Sequence, residues 1–169
     1  DLVSGPDLLF GVYAFAIQIY CDFSGYTDIA RGVARFLGID LINNFSAPYF
    51  SRNITEFWRR WHISLSSWLR DYLYISLGGN HKGKIRTYIH LMITMLLGGL
   101  WHGAAWTYVI WGGLHGLYLA GHKIVLKGRK PDIGVWGNNR LGYVGDFFKI
   151  IVTFHLVCVA WIFFRASTL

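Results

Sequence analysis

Among the residues able to do chemistry, one histidine stands in an unusual place. His102 lies inside the run Leu96-Leu-Gly-Gly-Leu-Trp-His-Gly-Ala-Ala-Trp106, and no Asp, Glu, Lys or Arg occurs between Thr87 and Gly121. The ionisable groups of that stretch are His90, His102 and His115. A group that can carry a proton near neutral pH is costly to keep at membrane depth, so its presence there points to function. A neutral imidazole flanked by Trp101, Gly103 and Trp106 can serve as a general base toward a hydroxyl, the usual role of histidine in acyl transfer. The small pairs Gly98-Gly99 and Gly103-Ala104 leave room for a backbone or a long thin substrate to approach. The competing reading is a packed histidine bonded to a carbonyl of a neighbouring helix. His62, in Arg59-Arg60-Trp61-His62-Ile63-Ser64, is the second candidate: a group that orients a substrate or polarises a carbonyl, or else a rim histidine at an interface.

Other chemistries find little support. His102 and His115 are 13 residues apart, about 220° round a continuous helix, so they do not share a face. No HxxxH or HExxH spacing is present, and His115 and His122 lack a third ligand nearby; no metal or haem site is expected. There is no GxSxG elbow, P-loop or CxxC motif. Ser64, Ser66 and Ser67 read as capping or solvated groups rather than nucleophiles. Cys21 and Cys158 lie in apolar context and are expected to pack as small hydrophobes rather than form a disulfide.

The elements that must position these histidines are those of a membrane protein. Hydrophobic residues make up 54% of the 169-residue chain and aromatic residues 18%, with eight Trp, while only 15% are charged; soluble domains carry about 25%. Lysine and arginine gather in Arg52–Arg70, Lys82–Arg86 and Lys123–Arg140, flanking long bare stretches. The net charge of +7 therefore follows the positive-inside pattern of cytoplasmic loops and not the basic face of a nucleic-acid binder. No signal-peptide pattern is seen, and the chain reads as an interior piece of a larger polytopic protein.

Leu8–Ala30 is long enough to cross a hydrocarbon core of about 30 Å. Its second half holds Asp22 and Asp28, so either the span ends near Tyr20 or these carboxylates face a protein interior or wet cavity. Arg31 stands three residues after Asp28, the spacing of a helical ion pair. Residues 43–49 form a turn-rich connector. Asn53-Ile-Thr-Glu56 is a variant capping box, predicting an amphipathic interfacial helix over 53–77 with Phe57, Trp61, Leu65, Trp68 and Tyr72 on one stripe and a Glu56–Arg60 pair. Residues 87–122 lie between two basic loops and are expected to cross an even number of times, as a membrane helix pair with His102 at the turn. With the turn at Gly98–Ala105, the first arm is about 22 Å long, which places His102 within the membrane thickness, at the tip of a re-entrant or tilted pair. Irregular backbone at such depth must line a cavity or be buried in protein. Residues 147–164 form a further membrane span. The expected architecture is all-α, a single partial domain over 1–169.

Three runs, Tyr20-Cys-Asp-Phe-Ser-Gly-Tyr-Thr-Asp-Ile-Ala-Arg-Gly32, Asn53-Ile-Thr-Glu-Phe-Trp-Arg-Arg-Trp-His-Ile-Ser-Leu-Ser66 and Gly99-Leu-Trp-His-Gly-Ala-Ala-Trp106, resemble the membrane-bound O-acyltransferase superfamily. The likeness is nearest its bacterial branch of alginate O-acetyltransferase membrane subunits and D-alanyl transfer proteins. The two histidine motifs, 40 residues apart, are specific together. This resemblance implies a multi-helix core whose tunnel converges on the family's invariant histidine, here His102, with His62 as the second catalytic position. Trp101, Gly103, Trp106, Trp61 and Ser66 become candidates for the tunnel wall. It further implies no bound cofactor and a thioester donor, acetyl-CoA or an acylated carrier protein, presented from the cytoplasmic side of a bacterial inner membrane crossed several times. The acyl group would pass to a hydroxyl of an exported polysaccharide or envelope polymer, directly or through an extracytoplasmic acetyltransferase partner. The partners implied are membrane lipid, donor and polymer, with no nucleic acid. The alternative is a non-catalytic membrane subunit that scaffolds an export or modification complex.

Overall fold

Ser4 caps the first helix, its hydroxyl accepting from the Asp7 amide at 3.3 Å, and Pro6 supplies the preset φ of an opening turn. In the computed structural model, which describes residues 4–127, 129, 131, 133–134, 140–166 and 168, this helix (α1) runs unbroken from Gly5 to Phe36. At about 48 Å it exceeds a hydrocarbon core. The span therefore continues as helix past Tyr20, and Asp22 and Asp28 ride on its exposed side, Asp28 paired with Arg31 at 3.2 Å. Helix α2 (Ile54–Arg60) starts at Asn53, whose side chain accepts from the Glu56 amide at 2.9 Å. The remaining helices are α3 (Ile63–Trp68), α4 (Lys84–His102), α5 (Trp106–Leu126) and α6 (Arg140–Arg165). A short 3-10 turn, Pro48–Phe50, precedes α2 and a π-helical segment, Leu69–Tyr74, follows α3. Among the described residues all regular structure is helical.

Helices α1 and α6 are long and apolar enough to cross a membrane, with mean hydropathies of 1.3 and 2.2. Phe10, Ile17, Ile29 and Phe36 on α1, and Phe147 and Val152 on α6, point outward, as lipid-facing or helix-facing side chains do. The core lies between the helices and is built from aromatic edges: Phe45, Phe57, Trp61, Trp111 and Trp161, with Ala16, Val157 and Ala160 as spacers. Cys158 is buried within it, whereas Cys21 is exposed on α1. The packing expected of Cys21 therefore does not occur, because its helix turns that face away from the core.

The single helix predicted over 53–77 is broken. Trp61 turns extended and His62 adopts the left-handed conformation (φ 43°, ψ 58°), a strained state for a non-glycine residue. The connector pays for the break. Ser46 N donates to Arg60 O, Ile63 N to Asn44 O and Ser64 N to the Asn44 side chain, all at 3.0 Å. Asn44 thus caps α3 in place of a local cap. The predicted stripe is divided accordingly: Phe57 and Trp61 enter the core, while Trp68 and Tyr72 stay exposed and stack on each other at 5.6 Å.

Helices α4 and α5 form a hairpin joined by only three residues, 103–105. Gly98 and Gly99, placed in the predicted turn, are helical and serve close packing instead. A Cβ on Gly99 would stand 2.3 Å from Tyr108 O, and one on Gly112 2.3 Å from Met95 O, so the two backbones touch. The first arm is consequently 19 residues, about 28 Å and not 22 Å, which carries His102 nearly the full thickness of a hydrocarbon core away from the basic loop at Lys84.

Candidate functional site

His102 is the last residue of α4, and Gly103 leaves the helix in an extended conformation (φ 162°, ψ 155°). The imidazole is half-buried and meets three aromatic rings edge-on: Trp101 at 5.0 Å, Trp111 at 5.1 Å and Phe164 at 5.1 Å between centroids, with Tyr108 tilted at 6.2 Å. The Tyr108 ring packs closely on Gly103 and would lie 2.7 Å from an added Cβ. The sharp turn and the tyrosine under it set the direction of the His102 ring.

His62 reaches the same place from the α2–α3 break. Its ring is perpendicular to Phe23 at 4.7 Å and lies 6.1 Å from Trp101, so Trp101 touches both histidines. Burial, and secondarily the neighbouring His102, pushes the His62 pKa down to about 4. It is therefore neutral at physiological pH. The strained backbone of His62 is what aims it at Trp101, and strain of this kind clusters at functional sites.

The hydrogen bonds separate these two rings from the other packed histidines. His90 bonds Gly79 O at 3.1 Å, His122 the Thr55 hydroxyl at 2.8 Å, His115 the Trp58 indole at 3.2 Å, and His155 both the Tyr13 hydroxyl at 2.6 Å and Ile151 O at 2.7 Å. Neither ring nitrogen of His102 or of His62 has a hydrogen-bond partner among the described residues. Among the described residues no carbonyl accepts a hydrogen bond from His102.

Of the proposed wall residues, Trp101 and Gly103 adjoin His102 directly. Trp106, 73% exposed, opens α5 beyond the turn. Trp61 is instead a core residue, stacked on Phe57 at 5.7 Å and packed on Trp161 at 5.1 Å. The Ser66 hydroxyl donates to Trp61 O at 3.1 Å and His62 O at 2.9 Å, so it holds the strained backbone rather than standing free. Sequence reasoning missed Phe23, Trp111 and Phe164, which enclose the histidines from three different helices. Their only signal was aromatic character within apolar spans. No three His, Cys, Asp or Glu side chains among the described residues could share a metal ion.

A separate cavity of about 420 Å³ lies between Arg52, Tyr118, His122, Lys149 and Thr153. It sits about 24 Å along α5 from the His102 turn and is not part of the two-histidine site. Near it, Glu56 is fully buried. One carboxylate oxygen accepts from Arg52 N at 2.8 Å and Arg52 Nε at 3.4 Å, the other from Arg60 at 2.6 Å and Gly134 N at 3.1 Å. Arg52 also pairs with Asp146 at 3.2 Å, and Asp146 with Lys149 at 2.9 Å. Desolvation alone would raise the Glu56 pKa, but the Arg52 and Gly134 amides and the Arg60 and Arg52 charges overcome it and hold the carboxyl below its ordinary value.

Two helices are thus long and apolar enough to cross a membrane, and two neighbouring histidines without a hydrogen-bond partner among the described residues stand at the end of a glycine-packed hairpin. The chain belongs to the membrane-bound O-acyltransferase family, whose model matches residues 8–164. It is 50% identical over 163 residues to the probable alginate O-acetylase AlgI of Pseudomonas syringae pv. tomato, covering 96% of this chain and 29% of that protein. A peptidoglycan O-acetyltransferase of Helicobacter pylori is 42% identical over 162 residues (92% of this chain, 28% of that protein). A teichoic acid D-alanyltransferase of Bacillus subtilis is 32% identical over 164 residues (92% and 40%). The chain thus spans well under half the length of each.

Proposed function

We propose that the protein containing this chain is an O-acyltransferase, and specifically an O-acetyltransferase, that moves an acyl group from a cytoplasmic thioester to a hydroxyl of an exported polysaccharide or envelope polymer. The observation that carries the reading is His102: an imidazole set at a helical turn among aromatic edges, with neither nitrogen engaged among the described residues. In the proposed step His102 takes the proton of the acceptor hydroxyl as its oxygen bonds to the thioester carbonyl carbon. The carbon–sulfur bond breaks, and the thiolate leaves and takes up a proton. His62, neutral, positions or polarises the donor carbonyl, and the aromatic surround excludes the water that would hydrolyse the thioester.

The donor is acetyl-CoA in this reading. The higher identity to proteins named for O-acetylation than to the D-alanyltransferase supports it over an acylated carrier protein. The site would work within a multi-pass core of a bacterial cytoplasmic membrane, with the α4–α5 pair re-entering or tilting to bring His102 to the tunnel. Transfer ends on the polymer directly or through an extracytoplasmic acetyltransferase partner. The test is His102→Ala in the full-length protein, reading the O-acetyl content of the exported polymer. The expected result is loss of acetylation at unchanged protein abundance. Retention of wild-type acetylation overturns the assignment, and full activity in His102→Gln would favour a scaffolding role.

A further inference from the structure

His115 belongs to neither the pair of site histidines nor any recognised motif, yet it is the most enclosed ionisable group on α5, with 0% exposure. Its Nδ1 accepts the indole N–H of Trp58 at 3.2 Å. An imidazole nitrogen that accepts carries no proton, so the ring is the neutral tautomer protonated on Nε2. The ring is fixed on every side: parallel to Phe57 at 6.0 Å, and edge-on to Trp58 at 5.0 Å, Trp111 at 4.9 Å and Tyr118 at 5.9 Å.

What those neighbours carry gives the contact its meaning. Trp58 lies on α2, three residues before the Trp61–His62 break, so the Trp58–His115 bond ties the last turn of that helix to α5 just ahead of His62. Trp111 packs on both His115, 4.9 Å away, and the His102 ring, 5.1 Å away. His115 is thus the point at which the supports of both site histidines meet, and the Trp58 bond is the one directional contact there among otherwise non-directional ring contacts. We infer that His115 is a positioning residue for the two-histidine site, acting through a single Nδ1 acceptor that registers α2 against α5. This rests on the acyl-transfer reading above. It predicts that the acceptor atom, and not the bulk of the ring, is what transfer requires.

The test uses host membranes holding the full-length protein at equal abundance, dosed with labelled acetyl-CoA, with polymer-bound label read against donor concentration. Trp58→Phe keeps an aromatic ring but loses the donor N–H together with the five-membered half of the indole, so it is read beside the His115 variants; it is expected to lower kcat about tenfold to a hundredfold with the apparent KM for acetyl-CoA nearly unchanged, the signature of a displaced catalytic group. His115→Gln, whose amide reaches the Nε2 position, falls equally far. His115→Asn, whose amide oxygen stands near Nδ1, recovers most of the rate. The Trp58→Phe/His115→Gln pair falls no further than either alone, because both break one bond. Wild-type kcat in Trp58→Phe, an Asn variant as poor as the Gln variant, or a loss confined to KM would each overturn the inference. His102→Ala, run alongside, separates the outcomes: if it is inactive while Trp58→Phe is not, His115 positioning alone is refuted, whereas an active His102→Ala refutes the acyl-transfer reading itself.

Discussion

Two regions only a few residues apart in sequence treat their polar groups in opposite ways. Around Glu56, both carboxylate oxygens are engaged and the chain of charges runs on through Arg52 to Asp146 and Lys149. Around His102 and His62, two imidazoles are surrounded by hydrocarbon edges and given no hydrogen bond among the described residues. The stretch from Asn53 to Ser66 contributes to both. A polar group whose partners are built into the chain is structure; buried charges are tolerated only when paired in this manner. A half-buried group left without one is poised for a partner that comes and goes. On the proposed reading, the difference puts function at one end of the hairpin and mechanical anchorage at the other.

The comparison is broken most severely at the ionic end. Glu56→Ala leaves Arg52 and Arg60 facing each other without their shared carboxylate, and removal of one member of a buried pair costs about 3–5 kcal/mol. Thermal unfolding of the full-length protein in detergent should show it as a large drop in midpoint. His62→Ala, by contrast, removes a ring that makes no hydrogen bond among the described residues; it should reduce transfer far more than it reduces the midpoint. Next in size is the hairpin seam. Gly112→Ala places a Cβ against the Met95 carbonyl, a backbone atom that cannot swing aside, and overpacking of this kind costs about 1–3 kcal/mol. Gly103→Ala meets only the Tyr108 side chain, which can rotate. Its effect should appear in activity, because that ring lies under His102.

The sequence revealed these two ends unequally. The Asn53 cap, the Glu56–Arg60 pair and the Asp28–Arg31 pair are local, set by spacings of three and four residues, and a single helix suffices to predict them. The break at Trp61–His62 is not local. It is dictated by Asn44, eighteen residues upstream of His62, whose backbone and side chain take the two amides that a continuous helix would have used. Helical periodicity carried straight through that point because the competing hydrogen bonds come from another segment. The glycines at 98–99 misled for a related reason: glycine marks both turns and close helix contacts, and only the position of α5 distinguishes them. His102 stood out by its apolar surroundings, whereas His62 was marked by its place beside Trp61 and two arginines. That Phe23, Trp111 and Phe164 converge on them depends on tertiary packing, to which an aromatic residue in a hydrophobic span gives no clue.

The smallest expected effect also tells the two regions apart, by pH. An ordinary histidine titrates near 6.5, whereas burial, aided by His102, holds His62 at about 4 in the folded protein. Between those values the unfolded chain binds a proton that the folded chain refuses, so stability falls as the pH is lowered from 6.5 to 4. Glu56 is shifted downward from the ordinary carboxyl value of 4.5; its contribution is complete above 4.5 and is lost only as the pH falls below that, through the folded value. The two regions therefore lose stability in adjoining windows. His62→Gln should lessen, without abolishing, the loss across the upper window, measured as the change in melting midpoint between pH 6.5 and 4.5, and leave the loss below pH 4.5 in place. Were His62→Gln to retain the full upper slope, the His62 ring would be solvated in the folded protein, and the contrast between an enclosed histidine site and a saturated ionic one would fail at that residue.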